Sequence, residues 1–154
     1  MHRRSRAREV ALQLLFQKDQ NPHGMPRKVI ERFATDRLTG DKVMAAYCLA
    51  LYDGTLTHQA DIDPKLTATA SNWRLSRMLP VDRNVLRLGA YELLFDPAAE
   101  PTPVVINEAI ELARRYGSAD SPKFVNGILD KIGKARPVGG PAPAAAPPPP
   151  APAS

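Results

Sequence analysis

An all-α fold of about seven helices is what this sequence predicts, and three observations carry the prediction. Apolar residues recur at three- and four-residue spacings as far as Ile132, and no run alternates with the period of two that a half-buried strand needs. The breaks between periodic segments are short and marked by proline, glycine or a capping residue, as in helical bundles. Apolar residues make up 44% of the 154 positions, enough for one compact core or two small packed ones. No apolar run approaches the ~20 residues of a membrane span, and the N-terminus lacks the apolar stretch of a signal peptide.

The first helix is expected from Ser5 to about Lys18, with Ser5 as cap and a stripe of Ala7, Val10, Ala11, Leu14 and Leu15. Arg4 and Arg8 flank that stripe one turn apart, and Phe16 falls outside it, where it needs a second packing surface or a partner. Asn21 to Pro26 reads as a loop, and Pro26 opens a second helix through Val29, Ile30 and Phe33. Thr39-Gly40 breaks it, and Asp41 caps a third helix in which Met44, Tyr47, Cys48, Leu51, Tyr52 and Leu56 share a face. Ile62-Asp63-Pro64 predicts the start of a fourth helix running through Leu66, Ala70 and Trp73. Val81 to Phe95 is the most regular segment, its apolar face wide enough for a helix packed on two sides, and Asp96-Pro97 ends it.

The last two helices form a hairpin. Thr102-Pro103 starts one, with Ile106, Ala109, Ile110 and Ala113 on a face and Gly117 as a stop. Ser121-Pro122 starts the other, whose stripe is Phe124, Val125, Ile128, Leu129 and Ile132. Asp120, Lys123, Asn126, Asp130 and Lys131 lie off that stripe. The folded part is expected over residues 1–136. Residues 137–154 hold eight prolines, six alanines and no charge, which predicts an extended, disordered tail with local polyproline character.

Composition narrows the function classes. The net charge is +5, and four arginines (Arg3, Arg4, Arg6 and Arg8) crowd one end, which favours an anionic partner, nucleic acid first. Cys48 stands alone in an apolar pattern with no histidine placed to activate it, as expected of a buried thiol in a reducing compartment such as the cytoplasm. No glycine-rich phosphate loop or zinc-type cysteine pair occurs, and His2, His23 and His58 are scattered. Glu108 and Glu111 lack the following histidine of a di-iron helix, and capping accounts for Tyr116 to Ser121. Catalysis, metal and cofactor therefore have no support, and binding is the expected role. An arginine-rich helix end can contact phosphates and stack on unpaired bases. Lys123-Phe124 would add a stacking ring beside a cation, although the spacing of Phe124 suits a core position equally well.

Three segments then resemble one family. Ile106-Asn-Glu-Ala-Ile-Glu-Leu-Ala, with Tyr116-Gly-Ser-Ala-Asp-Ser-Pro-Lys-Phe-Val-Asn-Gly-Ile-Leu-Asp-Lys131, resembles the closing helices of the transcription antitermination factor NusB family. Arg6-Ala-Arg-Glu-Val-Ala-Leu-Gln-Leu-Leu-Phe16 resembles its opening helix, and Val81-Asp-Arg-Asn-Val-Leu-Arg-Leu-Gly-Ala-Tyr-Glu-Leu its central one. The resemblance runs from residue 3 to about 134. It implies two packed three-helix halves and a non-enzymatic factor that binds boxA RNA of ribosomal RNA leaders jointly with NusE, a ribosomal small-subunit protein, within an RNA polymerase antitermination complex. The RNA side would comprise Arg3, Arg4, Arg6, Arg8, Lys123 and Phe124; the NusE side would comprise Phe16, Asp82 and Asp120, the last close to both. Phe16 stands where some members carry tyrosine. Some members self-associate and cover the RNA surface, so a homodimer stays open. Two other readings are a helical protein-interaction scaffold and a stand-alone relative of the NusB-like domain of a ribosomal RNA cytosine methyltransferase. The latter enzyme needs a following cofactor-binding domain, for which the tail has no counterpart.

Overall fold

Helical periodicity along the chain is realised as seven α-helices in a computed structural model that describes residues 2–70 and 73–137. They are α1 (Arg3–Gln20), α2 (Arg27–Arg37), α3 (Lys42–Thr57), α4 (Gln59–Thr69), α5 (Pro80–Leu94), α6 (Thr102–Tyr116) and α7 (Ser121–Lys134), with one 3₁₀ turn at Leu75–Arg77. The expected tail, apart from Pro137, lies outside the described residues. Among the described residues no strand occurs, and no helix is long and apolar enough to cross a membrane.

The helices group as the pattern suggests. α1, α2 and α3 pack together, α5, α6 and α7 pack together, and α5 also lies against α1 and α3, so one core runs through both groups. Leu14, Leu15, Leu51, Leu86, Leu88 and Leu129 are among its large buried members. α1 is buried more completely than an amphipathic stripe implies: Ala7 through Leu12 are all buried in succession. The reason is that α1 is enclosed by α3, α5 and α2, with α6 side chains meeting it as well.

Capping matches the sequence at some ends and differs at others. The Asp41 carboxylate accepts from the Met44 N–H at 3.2 Å, a regular N-cap. At the end of α2, Thr39 (φ 53°) and Gly40 (φ 75°) turn through the left-handed region that glycine enters without a Cβ penalty. Ser5 is not a cap: α1 begins two residues earlier, and Ser5 Oγ instead donates to Glu108 Oε1 at 2.6 Å. Ser121 and Thr102 lie just inside their helices, and Thr102 Oγ1 accepts from Arg136 Nη1 at 2.8 Å. Cys48 is fully buried, and burial pushes its thiol up to about 12.

The fourth helix departs most from expectation. It starts at Gln59 rather than at Asp63, leaving Pro64 inside it, and stops at Thr69, so Trp73 is not part of it. Only His58 separates α3 from α4, and its carbonyl already accepts from the Asp61 and Ile62 N–H groups. Its ring stacks on Phe95 with centroids 4.2 Å apart. Pro64 removes one helical hydrogen bond. That loss is offset because Ile62 and Leu66 are fully buried and Arg87 grips Asp63 through two 2.9 Å hydrogen bonds from α5.

A second polar clamp ties α1 to α5. Asp19 accepts from Arg83 Nη2 and Asn84 Nδ2, each at 2.9 Å, with Arg87 3.6 Å away. Burial works against the Asp19 charge, but the donors from Arg83 and Asn84 and the positive charge of Arg83 hold its carboxyl below the ordinary value of 3.8. A folded-state value below the unfolded one contributes stability at higher pH that disappears as the group protonates. The thermal midpoint should therefore fall as pH drops below about 4. Asp19→Asn should be less stable at pH 6 and show a shallower fall; an unchanged acid profile would remove Asp19 from the account.

Candidate nucleic-acid interface

The exposed cations and rings follow the α6–α7 hairpin. α1 runs parallel to α6: Arg4 Nη1 lies 2.6 Å from Glu100 Oε1 at one end, and Tyr116 meets Glu9 and Gln13 at the other. α7 returns antiparallel, so that Arg136 closes back on Thr102 and on the Glu100 carbonyl at 2.8 Å. The hairpin is about 21 Å long at 1.5 Å per residue. Arg3 and Arg4 sit at its open end, and Phe124, in the first turn of α7, at its closed end.

The four arginines are not equivalent. Arg3 is exposed and pairs with Asp41 at 2.8 Å. Arg4 is exposed over the Tyr47 ring, 5.1 Å from its centroid. Arg6 is half-buried beside Glu9, whose carboxylate also meets Arg115 at 3.2 Å. The Arg3 and Arg4 pairs are shallow and can exchange a carboxylate for a phosphate at little cost, whereas Arg6 answers a buried carboxylate.

Arg8 corrects the expectation. It is 1% exposed, its Nε donates to Glu92 Oε1 at 2.9 Å, and Nη2 lies 2.8 Å from the same oxygen. Glu100 and Glu108 stand 3.7 and 3.8 Å away. Burial opposes the Arg8 charge, but Glu92 outweighs it and holds the guanidinium above its usual range. Burial pushes the Glu92 carboxyl up to about 7, against the pull of Arg8. An RNA cannot reach this side chain, because the position expected to flank the α1 stripe is enclosed between α1 and α5.

At the closed end, Phe124 is half-buried rather than core, its ring edge-on to Trp73 at 6.2 Å. Trp73 is 56% exposed. These rings, with Arg77, Asp82, Ser118 and Asp120, border a cleft of about 320 Å³. Asp120 is exposed and its side chain makes no cap bond. Asp82 is 7% exposed, and its Oδ1 has no hydrogen-bond partner among the described residues. Arg74, Arg77 and Lys123 take no acidic partner among those residues either. The sequence reading missed Trp73, Arg74 and Arg77, although an aromatic followed by two arginines in Trp73-Arg-Leu-Ser-Arg77 was a readable signal.

Phe16 is 39% exposed and belongs to a separate groove with Leu12, Phe33, Val81 and Tyr116. Val81 and Asp82 are neighbours at the start of α5, so this turn separates the groove from the cleft. Of the residues expected on the partner face, Phe16 lies in the groove and Asp82 and Asp120 border the cleft, next to each other across this turn.

A sequence model of the NusB family matches residues 5–134. The chain belongs to the NusB family. It is 42% identical over 137 residues to the transcription antitermination protein NusB of Elusimicrobium minutum, covering 88% of this chain and 96% of that one. The Anaeromyxobacter dehalogenans NusB is 44% identical over 135 residues, covering 88% and 93%. Among solved structures, T. maritima NusB superposes with a TM-score of 0.75 at 39% identity, over 85% of this chain and 90% of that one. A NusB determined with NusE and double-stranded RNA gives 0.76 at 30% identity, over 88% and 98%. The NusB family thus shares both the helical order and nearly its full length with this chain.

Proposed function

We propose that this chain is a transcription antitermination factor that binds boxA-type RNA of ribosomal RNA leader transcripts jointly with the ribosomal protein NusE, and that it performs no chemistry on the RNA. The observation that carries the reading is the line of exposed guanidinium groups along α1, which leads from Arg3 and Arg4 past Arg6 towards the Trp73–Phe124 cleft. A single strand following the hairpin would have about 21 Å of helix to lie along. NusE is assigned to the Phe16 groove, whose apolar floor suits a protein partner better than a phosphate backbone. Because α5 begins between groove and cleft, each partner can stiffen the same turn, and any gain must be reciprocal. The same reading places the complex on nascent transcripts with RNA polymerase, in the cytoplasm.

Affinity for a boxA-type RNA should fall with salt by about 0.7 log units per decade for each phosphate neutralised. Arg3→Ala and Arg4→Ala together should flatten that slope by about 1.4 and leave the thermal midpoint nearly unchanged, whereas adding Arg6→Ala should also lower the midpoint, because it takes a partner from the buried Glu9 carboxylate. An unaltered slope would remove the arginines from the RNA surface. A purely protein-binding scaffold would instead capture NusE with no gain in RNA affinity for the pair.

A further inference from the structure

We infer that the proline-rich segment 141–152 docks on the Phe16 groove of its own chain as a polyproline helix and competes there with the protein partner. The docking stands on the groove itself; the competition rests on the assignment of NusE to that groove above. Three features meet. The first is the lining: Phe16, Phe33 and Tyr116 bring three rings to a trough of about 420 Å³, and Phe16 and Tyr116 are each 39% exposed. Proline-rich segments pack on aromatic-lined grooves of this kind, and they lose little entropy because the ligand is already extended.

The second is polarity. A proline run offers carbonyl oxygens and no N–H, so its binding site must supply donors. The groove does so through the Gln17 amide and the Arg37 guanidinium, which lies 4.7 Å over the Phe33 ring, and no carboxylate lines it. The segment carries no charge, so neither side buries an unpaired carboxylate. The neighbouring cleft fits less well, because Asp82 and Asp120 add acceptors that face the same carbonyls.

The third is reach. Arg136 donates to Thr102 Oγ1 and to the Glu100 carbonyl, each at 2.8 Å, so the chain leaves α7 at the open end of the hairpin. The groove lies towards the other end, where α6 finishes at Tyr116. That end is about 21 Å away, and the ten residues from Pro137 to Pro147 span about 31 Å as a polyproline helix. The run Pro147–Pro150 therefore arrives at the groove, and Gly139-Gly140 gives the chain freedom to turn back. A tether of this kind holds its segment at about 1 mM beside the groove. A segment binding at about 0.1–0.5 mM then weakens a competitor about three- to tenfold.

The test compares the full chain with a variant carrying Pro147→Ser, Pro148→Ser, Pro149→Ser and Pro150→Ser. These changes keep length and neutrality, and they lie beyond residues 5–134, which the family model matches. Both chains carry Ala151→Cys with a nitroxide label; Cys48 is fully buried and stays unlabelled. Paramagnetic broadening should centre on the amides of Phe16, Phe33 and Tyr116 and fade in the serine variant. NusE, titrated by calorimetry, should bind the serine variant about three- to tenfold more tightly. Broadening that is diffuse, or the same in both chains, overturns the docking. Broadening centred on Trp73 and Phe124 gives the segment to the cleft and also overturns it. Broadening at the groove with equal NusE affinities overturns the competition and moves NusE off that groove. Broadening at the groove with no NusE binding by either chain overturns the proposed function and leaves the docking standing.

Discussion

Arg8→Ala is expected to destabilise the protein by about 3–5 kcal/mol, the range for removing one partner of a buried ion pair. The loss comes from what remains behind. Glu92 is nearly inaccessible, and burial raises its carboxyl even with Arg8 beside it. Without the guanidinium it rises further, so the variant gains relief by protonating Glu92 in the folded state. A folded-state value above the unfolded one means stability declines as pH climbs from about 4.5 upward. The deficit measured by urea unfolding should therefore be larger at pH 8 than at pH 5.5. Arg8→Met with Glu92→Leu should recover much of it, because an apolar pair of similar size carries no desolvation cost. A deficit below about 1 kcal/mol, the size of an exposed pair, would return Arg8 to the surface set. Arg4→Ala is the contrast: its side chain is half-exposed, and its removal should affect RNA rather than stability.

Gly54→Ala and Gly127→Ala are expected to move stability in opposite directions. Both glycines lie inside helices, where alanine gains about 1 kcal/mol from propensity alone. A Cβ at Gly127 meets nothing within 4 Å, so that gain should appear nearly in full. A Cβ at Gly54 would lie 2.2 Å from Cζ of Tyr91, a stiff ring, mostly buried, with His58 close by. Overpacking of that kind costs about 1–3 kcal/mol or more, so destabilisation wins. Thermal unfolding of the two variants checks the prediction, and a stabilised Gly54→Ala would show that α3 and α5 can move apart.

Much of the fold was legible because seven amphipathic segments with marked ends leave few alternatives to a helical bundle. The α4 start was not. The Asp63-Pro64 pair carries a strong local signal for a helix beginning, and burial of Ile62 and Leu66 together with the Arg87 clamp outweighed it. Of the candidate site, Arg3, Arg4, Arg6, Lys123 and Phe16 stand at the surface or partly so, as their spacing suggested. Arg8 does not, because periodicity cannot say how many neighbours enclose a helix. Trp73 escaped notice for the same reason in reverse: it continued the apolar pattern of α4, while the helix itself stops at Thr69.

By itself the sequence determined the number and order of the helices, the basic end of α1 and the family, since these follow from local periodicity, charge and motif. Tertiary structure decided which arginine is buried, which mid-helix glycine has no room, and that Asp82 shares a cleft with Trp73 and Phe124. Those outcomes depend on contacts between residues far apart in the chain, where close packing allows one side chain in a space and a buried charge demands its partner.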